Sequence, residues 1–374
     1  MSVSITGDAI GGLAAVMDLS ALSPAARTFV DALVGREDLP VRLAQMALVL
    51  KGRDQKKDAR LLAQAALELA PDNYRVRVLA DWLNRRQAPL WHFGIIHDEI
   101  RNQTYARALR HHVKPGMVVF EIGTGTGLLA MLAAEAGARH VYTCERRSDV
   151  AAAAREIIAR NGFADRVTVI DKEAHAVQLG VDLPERADLF VAEIVDNTLL
   201  GEGVLPLTEL ARKKFLKPEA ILLPHTVSAM GYLMGGTGHR HQYRMGTVMG
   251  FDLTPFNRFT PIELNAGKGG GQVEPLSRAV ELMRFDLHED TPKEASQSVE
   301  LIADQAGQAE SLLRWLRLDF GEGIVFENRP PQPSSWDPHL HILPEPLAVK
   351  PGDALTFEIS HNRDRLFVVP MASS

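Results

Sequence analysis

Two glutamates in the segment AEIVDNTLLGEG have the residue type and spacing to hold a cation. Glu193 follows the apolar run ADLFV, and Glu202 lies nine residues later between two glycines. If the loop brings them back to one site, two carboxylates can share the planar, permanently charged fork of a guanidinium. They would also polarise one terminal nitrogen for attack in an in-line displacement. On spacing alone, two solvated loop glutamates are the simpler interpretation.

A glycine-rich turn lies upstream, in the segment VVFEIGTGTGLLAMLAA. It contains Gly123, Thr124, Gly125 and Gly127, and it joins an apolar strand pattern to a helical one. Glycines let the backbone turn tightly and approach a ligand, and the helix that follows presents free N–H groups. The spacing Gly-x-Gly-x-Gly differs from the Gly-x-Gly-x-x-Gly of a pyrophosphate binder. The segment therefore predicts a nucleoside-binding loop of another kind.

Two carboxylates narrow the choice of ligand. Glu121 lies inside the strand end, where it would repel a pyrophosphate. Glu145 ends the next strand pattern, 20 residues after Gly125, where a carboxylate can accept both hydroxyls of a ribose. The spacing to Glu145 suits a dinucleotide as well as S-adenosylmethionine. The glycine spacing and Glu121 together favour S-adenosylmethionine. Cys144 is expected to be a buried core thiol.

A parallel sheet is needed to bring these residues to one edge. Between residues 89 and 224 the strand-like runs VVFEIG, HVYTCE, RVTVID and ADLFVAEIV alternate with the helical runs LLAMLAAEAG and DVAAAAREIIARNG. This alternation predicts an α/β domain with a Rossmann-like parallel sheet and helices on both faces. Ligands bind such sheets at the carboxyl ends of the strands, where the glycines and both candidate glutamates fall.

The flanking regions have different patterns. Residues 1–88 predict an α-helical region, with a helical hairpin from Asp58 to Leu83 that resembles a tetratricopeptide junction; a plain helical cap is the alternative. Residues 225–374 carry short strand-like runs, which predict an antiparallel, β-barrel-like domain that is helical only near ESLLRWL. The stretch GKGGGQ at 267–272 is expected to be a surface loop.

Composition excludes several classes of protein. The chain has 374 residues, of which 46% are hydrophobic and 24% charged, as in a globular protein of more than one domain. A net charge of −6 gives no bulk basic field that would attract nucleic acid. A single cysteine excludes a disulfide or a cysteine-based metal site and indicates a reducing, cytoplasmic compartment. No uninterrupted apolar run is long enough to span a membrane.

Taken together, the motifs resemble the protein arginine methyltransferase family from about Leu90 to the C-terminus. VVFEIGTGTGLLAMLAAEAGA is similar to its cofactor loop, VYTCE to its ribose-binding strand end, and AEIVDNTLLGEG to its double-glutamate loop. FLKPEAILLP is similar to the strand that leaves the methyltransferase domain. WHFGIIHDEIRNQTYARAL is similar to the helix that folds over the cofactor. The branch with N-terminal tetratricopeptide repeats is the nearest, and its close relative with a duplicated catalytic core is also similar.

The resemblance implies an enzyme that transfers methyl groups from S-adenosylmethionine to arginine in a protein or peptide. Glu193 and Glu202 would be catalytic, and Arg101 would pair with the methionine carboxylate. The segment Leu90-Trp91-His92-Phe93 stands where the family has a Tyr-Phe motif. Within it, His92 is the residue that best matches the function of that motif; the alternative is that His92 is a structural histidine packed on an aromatic ring. Ala174 and His175 occupy the region expected to contact adenine.

The chain departs from the family at the segment PSSWDPHLHIL. Ser335-Trp336 stands where the family has His-Trp, so Trp336 is retained and the histidine is lost. That histidine pairs with an acidic residue that Asp98 matches here, and Ser335 can hydrogen-bond this carboxylate only as a neutral group. Asp98, Ser335 and Trp336 are therefore candidate substrate-binding residues. The family's dimerisation arm is expected between Gly250 and Asn265, where the segment looks short, and a homodimer is one assembly that the resemblance allows.

Other activities and sites stay open at this stage. A methyltransferase for another amine, such as a ribosomal-protein lysine or a small guanidino compound, would use the same glycine loop. A methyltransferase-like binding protein without activity is the alternative outside enzymes. No metal site is expected: the pairs His239-Arg240-His241 and His339-Leu340-His341 lack a clear third ligand. Asp196 could orient a substrate or cap a turn.

Overall fold

The structure is a computed structural model that describes residues 13–87, 90–236, 243–267 and 274–371. By its contacts the chain divides into two units, Met1–His92 and Phe93–Ser374. Within the described ranges, no helix is both long and apolar enough to cross a membrane. The predicted histidine pair at 239–241 lies outside these ranges, as does all of the predicted loop at 267–272 except its first glycine.

The first unit is helical, as its sequence pattern predicts. Its helices are α1 (Pro24–Asp31), α2 (Leu39–Gly52), α3 (Lys56–Leu69) and α4 (Tyr74–Gln87), with a 3-10 turn at Leu19–Ala21. The predicted hairpin is formed by α3 and α4. Asn73 starts α4 because its side-chain oxygen accepts the N–H groups of Arg75 and Val76, at 3.0 and 3.2 Å. Buried alanines let these helices pack closely. Helix α5 (Trp91–Ile96) spans the division between the units.

The second unit begins with a parallel sheet. Along the chain its elements are α6 (Glu99–His112), β1 (Val118–Ile122), α7 (Leu128–Glu135), β2 (His140–Glu145), α8 (Ser148–Arg160), β3 (Val167–Asp171), a 3-10 turn at Ala174–Ala176, β4 (Ala187–Ala192), α9 (Val204–Lys214) and β5 (Leu216–Leu223). The strand order is β3-β2-β1-β4-β5, and the pairings are parallel. All of β1 is buried, since helices cover both faces of the sheet. The predicted α/β architecture is confirmed.

The strands that follow pair antiparallel, as predicted. They are β6 (Thr226–Gly235), β7 (Thr247–Val248), β8 (Phe251–Asp252), β9 (Glu263–Asn265), β10 (Glu274–Pro275), β11 (Val280–Asp286), β12 (Ala295–Ile302), β13 (Gly307–Asp319), β14 (Val325–Glu327), β15 (His339–Val349), β16 (Ala354–His361) and β17 (Leu366–Pro370), with a 3-10 turn at Thr254–Phe259. The main sheet has the order β10-β6-β13-β15-β9, with β11 also on β6 and β14 on β13. A second sheet has the order β12-β16-β17.

The prediction of a helix near ESLLRWL is wrong. This segment lies in the middle of β13, paired on one side with β6 and on the other with β15. Leu312 and Leu316 pack into the main core, while Leu313 and Trp315 pack into a separate cluster on the opposite face. A strand buried on both faces loses the alternation of apolar and polar residues, so its sequence resembles a buried helix.

Candidate active site

The glycine loop connects the end of β1 to the start of α7. The N–H groups of Gly123 and Thr124 donate to the carbonyl of Cys144 on β2, at 3.0 and 3.2 Å, which holds the turn against the neighbouring strand. Gly127 has φ of 80°, and a Cβ there would lie 2.9 Å from the Ile158 side chain. Only glycine fits this close approach without displacing α8. The loop therefore lies at the carboxyl edge of the sheet, as predicted.

Glu145 is placed at the same edge, at the end of β2. Its side chain is buried, and its two oxygens accept the backbone N–H groups of Gly125 and Arg147, at 3.2 and 3.0 Å. Each carboxylate oxygen has a second lone pair, so these contacts orient the group and leave acceptor capacity. This arrangement suits the expected contact with two vicinal hydroxyls.

Glu193 is brought to the site by the end of β4, where it pairs with Arg101 of α6. Arg101 Nη2 lies 2.7 Å from Glu193 Oε2, and the side chains are 5% and 11% exposed. Burial raises the pKa of Glu193, and the charge and hydrogen bond of Arg101 oppose that rise. Glu193 Oε1 and Arg101 Nε are buried with no hydrogen-bond partner among the described residues. Arg101 thus contacts a catalytic candidate, and its expected contact with a methionine carboxylate stays a prediction.

Glu202 is electrostatically coupled to Glu193 across the loop. Burial raises the pKa of Glu202 to about 7, with further rises from the charges of Glu193 and Asp196 and an opposing effect from Arg146. The Glu202 residue is nonetheless exposed at the surface, so a substrate can reach it. The repulsion between the two carboxyl groups would be relieved by a bound cation. Arg146 directly follows Glu145 in the chain, and its influence on this site was missed from the sequence because nothing in its spacing marks it.

Asp196 shapes the loop between the two glutamates. Its Oδ1 accepts the N–H groups of Thr198 and Gly201, at 3.0 and 3.1 Å, and the hydroxyl of Thr198 at 2.7 Å. Of the two roles considered for Asp196, the turn-capping one is present in the structure. These hydrogen bonds close the turn between Glu193 and Glu202.

Asp98 joins α6 to the Ser-Trp loop, as predicted. Its Oδ1 caps the helix by accepting the N–H of Arg101 at 3.0 Å, and its Oδ2 accepts the backbone N–H and the hydroxyl of Ser335, at 2.8 and 3.0 Å. Ser334, which the sequence analysis did not single out, donates its hydroxyl to the same oxygen at 2.8 Å. The hydroxyl of Ser335, at the position of the family's histidine, and that of Ser334 beside it therefore both bind Asp98 as neutral groups.

The remaining candidates have different surroundings. Trp336 is 3% exposed and packs edge-on against Phe326, with ring centroids 5.4 Å apart. Ala174 is buried, and His175 is exposed in the turn that follows β3. His92 lies in the first unit, where its ring stacks on Trp91 with centroids 3.7 Å apart. The binding roles of these four residues stay predictions.

Glu121 is the most deeply buried carboxyl of the site. It is 1% exposed, and burial raises its pKa to about 8 despite a hydrogen bond from Thr143 and the charge of Arg101. Its Oε2 has no hydrogen-bond partner among the described residues. The unpaired oxygen of Glu121 can accept a hydrogen bond from an ammonium group, and the unpaired Nε of Arg101 can donate one to a carboxylate, as the two ends of an amino acid moiety require. The residues present therefore fit S-adenosylmethionine, with Glu145 for the ribose.

Glu121→Gln should raise the Tm, and the gain should grow from about pH 5 to about pH 8. An unfolded glutamate loses its proton near the ordinary value of 4.5, whereas the folded protein keeps it up to about pH 8. Stability from the protonated form is complete below the unfolded pKa and is lost as the pH rises through the folded pKa. At pH 7 the free energy of unfolding of the wild type is lower than at acidic pH by on the order of 3 kcal/mol. Thermal unfolding of the wild type and of Glu121→Gln across this pH range measures the Tm difference, with the exposed Glu219→Gln as control. A Tm difference independent of pH would contradict the prediction.

Comparisons with known proteins identify relatives of this chain. An arginine N(omega)-methyltransferase from Streptomyces achromogenes subsp. streptozoticus is 34% identical over 304 residues, which cover 79% of this chain and 83% of the relative. Protein arginine N-methyltransferase 7 from Drosophila ananassae is 31% identical over 276 residues, which cover 67% of this chain and 39% of the relative. The chain thus spans about two fifths of that longer relative. The family model of ribosomal protein L11 methyltransferase (PrmA) matches residues 103–221, which end within β5.

Two solved structures share the fold. The Trypanosoma brucei PRMT1 enzyme-prozyme heterotetrameric complex with AdoHcy has a TM-score of 0.67 at 24% identity, covering 74% of this chain and 88% of that one. Arabidopsis thaliana protein arginine methyltransferase 10 has a TM-score of 0.62 at 20% identity, covering 74% and 91%. With the Streptomyces relative, these matches show that the chain belongs to the family of S-adenosylmethionine-dependent arginine N-methyltransferases.

Proposed function

We propose that the protein methylates a terminal guanidino nitrogen of arginine, in a protein, a peptide or the free amino acid. The observation that carries the proposal is the pair of coupled carboxyl groups at Glu193 and Glu202, one of them with a buried, unpartnered oxygen. When bound, S-adenosylmethionine supplies an electrophilic methyl group on its sulfonium. The names of the relatives support both arginine and protein arginine as substrates.

The chain's own residues have separate tasks in this reaction. Glu193, held by Arg101, presents Oε1 to the guanidinium and fixes its orientation. The nitrogen that gains a methyl group must lose a proton, and Glu202, with a pKa of about 7, is able to accept it at neutral pH. The hydroxyls of Ser334 and Ser335 anchor α6 through Asp98, so that Arg101 stays aligned with Glu193.

The test is methyl transfer from labelled S-adenosylmethionine to a panel of acceptors. The panel contains L-arginine, Gly-Arg-rich peptides and matched peptides with lysine in place of arginine. We expect label and a mass gain of one methyl group on arginine compounds only. Transfer to lysine would overturn the proposal in favour of another amine. Calorimetric titration with S-adenosylmethionine that gives no heat, together with no transfer, would indicate an inactive binding protein.

A homodimer is the assembly that we propose for this enzyme. The segment Thr247–Asn265 contains β7, β8 and β9 and carries an apolar surface. Met249, Phe251, Phe259 and Ile262 are 91%, 72%, 64% and 72% exposed. Apolar surface of this kind marks protein contacts, and the Trypanosoma neighbour is itself a complex of several chains.

Replacing Phe251 and Phe259 together by serine should convert the dimer to a monomer. The expected result is half the wild-type mass in light scattering after size exclusion. Val181→Ser, at an equally exposed apolar position on the parallel-sheet part, should leave the mass unchanged. A wild-type mass of one chain, or a double variant that stays dimeric, would contradict the proposal.

We also place the protein in the cytoplasm. Its one cysteine, Cys144, is 2% exposed, and burial raises its pKa to about 12. Such a thiol neither forms disulfides nor needs an oxidising compartment. Fractionation of cells that express a tagged copy tests this location.

A further inference from the structure

A second cluster of charged side chains lies on the antiparallel sheet, next to the double-glutamate loop. It consists of Glu263 on β9, Arg314 on β13, His339 and His341 on β15, and Arg365 before β17; we call it the Glu263 cluster. The strand register brings these residues together, because His339 pairs with Arg314 and His341 pairs with Glu263 across the sheet. Residues two apart on a strand share one face, so both histidines point to the same side. The sequence analysis left this histidine pair without a role.

Both carboxylate oxygens of Glu263 have hydrogen-bond partners. Its Oε1 lies 2.7 Å from Arg314 Nη2 and 2.9 Å from His339 Nδ1, and its Oε2 lies 2.9 Å from Arg365 Nη2. Burial would raise the pKa of Glu263, but these partners and His341 hold it well below its usual range. Within the cluster one carboxylate thus faces two arginines, and the neighbouring carboxylates of Asp364 and Asp196 offset the remaining positive charge.

Several atoms of the cluster are buried and have no partner among the described residues. They include Nε and Nη1 of Arg314, which is 2% exposed, and Nε2 of His339, which is 7% exposed. His341 adds no charge at neutral pH, since burial and the nearby Arg314 lower its pKa to about 3. The two Arg314 atoms are donors, and buried donors without partners cost free energy. Nε2 of His339 is an acceptor in the neutral ring, because Nδ1 donates to Glu263.

A cavity of about 390 Å³ opens onto the cluster. Glu263, His339 and Arg365 line one part of it, and Thr198 of the double-glutamate loop lines another. Asp364, next to Arg365, adds an exposed carboxylate to the lining. The cavity therefore offers a cation and an anion side by side, which matches the two charges of an amino acid head group.

The cavity is close to the guanidinium site through Asp196. Thr198 and Gly201 both donate their N–H groups to Asp196, which ties the cavity lining to the residue before Glu202. The charge of Asp196 acts on Glu202 on one side and on Arg314 of the cluster on the other. The inference requires that an arginine with its guanidinium at Glu193 and Glu202 has its main-chain end on the Asp196 side of the site.

We propose that the Glu263 cluster binds the α-carboxylate of the arginine that is methylated. The inference rests on the proposed function and narrows its substrate to free arginine or an arginine at a C-terminus. Arg365 supplies the accessible cation, and Asp364 supplies a counter-charge for the α-ammonium of the free amino acid. An arginine inside a peptide has no charged group to place there.

The experiment compares Arg365→Gln with the wild type on four acceptors: L-arginine, L-argininamide, a peptide that ends in arginine, and the same peptide with a C-terminal amide. For the two acids we expect KM to rise about 10- to 100-fold, as for loss of a charge-assisted hydrogen bond, with kcat little changed. The amides should show high KM in the wild type and no further rise in the variant. The two acids together show whether the free amino acid or a peptide terminus is preferred.

Two further variants separate binding from structure. Arg365 has a side chain that is 58% exposed, so its replacement is compatible with folding, and Arg365→Lys should restore part of the lost affinity because it keeps the charge. Arg278→Gln, at an arginine that is 91% exposed, should change no KM. Equal KM shifts for acids and amides, or none, would overturn the inference while leaving arginine methylation intact. A wild type that methylates no arginine compound would instead refute the proposed function, and this inference with it.

Discussion

Replacing Glu193 by glutamine should lower kcat/KM for arginine acceptors about 100- to 1,000-fold and leave S-adenosylmethionine binding nearly unchanged. The carboxylate is 11% exposed, and it is positioned by Arg101 at 2.7 Å while Oε1 stays unpartnered. A glutamine of the same shape keeps a hydrogen bond to Arg101 but carries no charge. It therefore cannot hold or polarise a cation in a site where water screens little.

Two measurements distinguish the catalytic role of Glu193 from a structural one. Steady-state transfer with labelled cofactor gives kcat/KM, and calorimetric titration gives the cofactor Kd of the same preparation. Glu219→Gln, an exposed change of the same kind on β5, is the matched control and should behave like the wild type. An unchanged rate in Glu193→Gln would refute the catalytic role, and loss of cofactor binding would reassign the residue to the cofactor site.

The wild-type rate should rise with pH through about 7 and then level off, because Glu202 must lose its proton to attract a guanidinium. Burial is the largest cause of its raised pKa, and the charges of Glu193 and Asp196 add to it. Below this pKa the carboxyl is neutral and contributes no attraction; above it the site carries the charge that the substrate needs. Glu202→Gln should lose about 100-fold in kcat/KM and should no longer show this rise.

A profile of kcat/KM from about pH 5 to about pH 9 at saturating cofactor tests the assignment to Glu202. Asp196→Asn is the informative companion variant, since it removes a negative charge that raises the pKa of Glu202. Its profile should shift to lower pH. A wild-type profile that is flat around neutrality, or a rise that persists in Glu202→Gln, would exclude Glu202 as the titrating group.

Much of the methyltransferase core could be predicted from the sequence. The run VVFEIGTGTG combines a continuous apolar strand pattern with a turn whose positive φ at Gly127 favours glycine, and each is a local property of the chain. Parallel strands bring their carboxyl ends to one edge by geometry alone, so the strand pattern predicts that Glu145 and Glu193 lie at the same edge of the sheet. The contact between Ser335 and Asp98 was also expected, although 237 residues separate them, because the resemblance to a family supplied it.

Other features were decided only by the tertiary structure. Whether ESLLRWL forms a helix or a strand depended on β6 and β15, which pair with it on both sides, and no pattern within seven residues contains that information. Likewise, the Glu263 cluster joins residues from four separate segments, whose spacing in the chain has no regular period. Local sequence thus determined the turns, the strand directions and the residue types of the catalytic loop. Long-range pairing and burial decided which charges meet, because an unpaired charge is costly only where neighbouring elements exclude water.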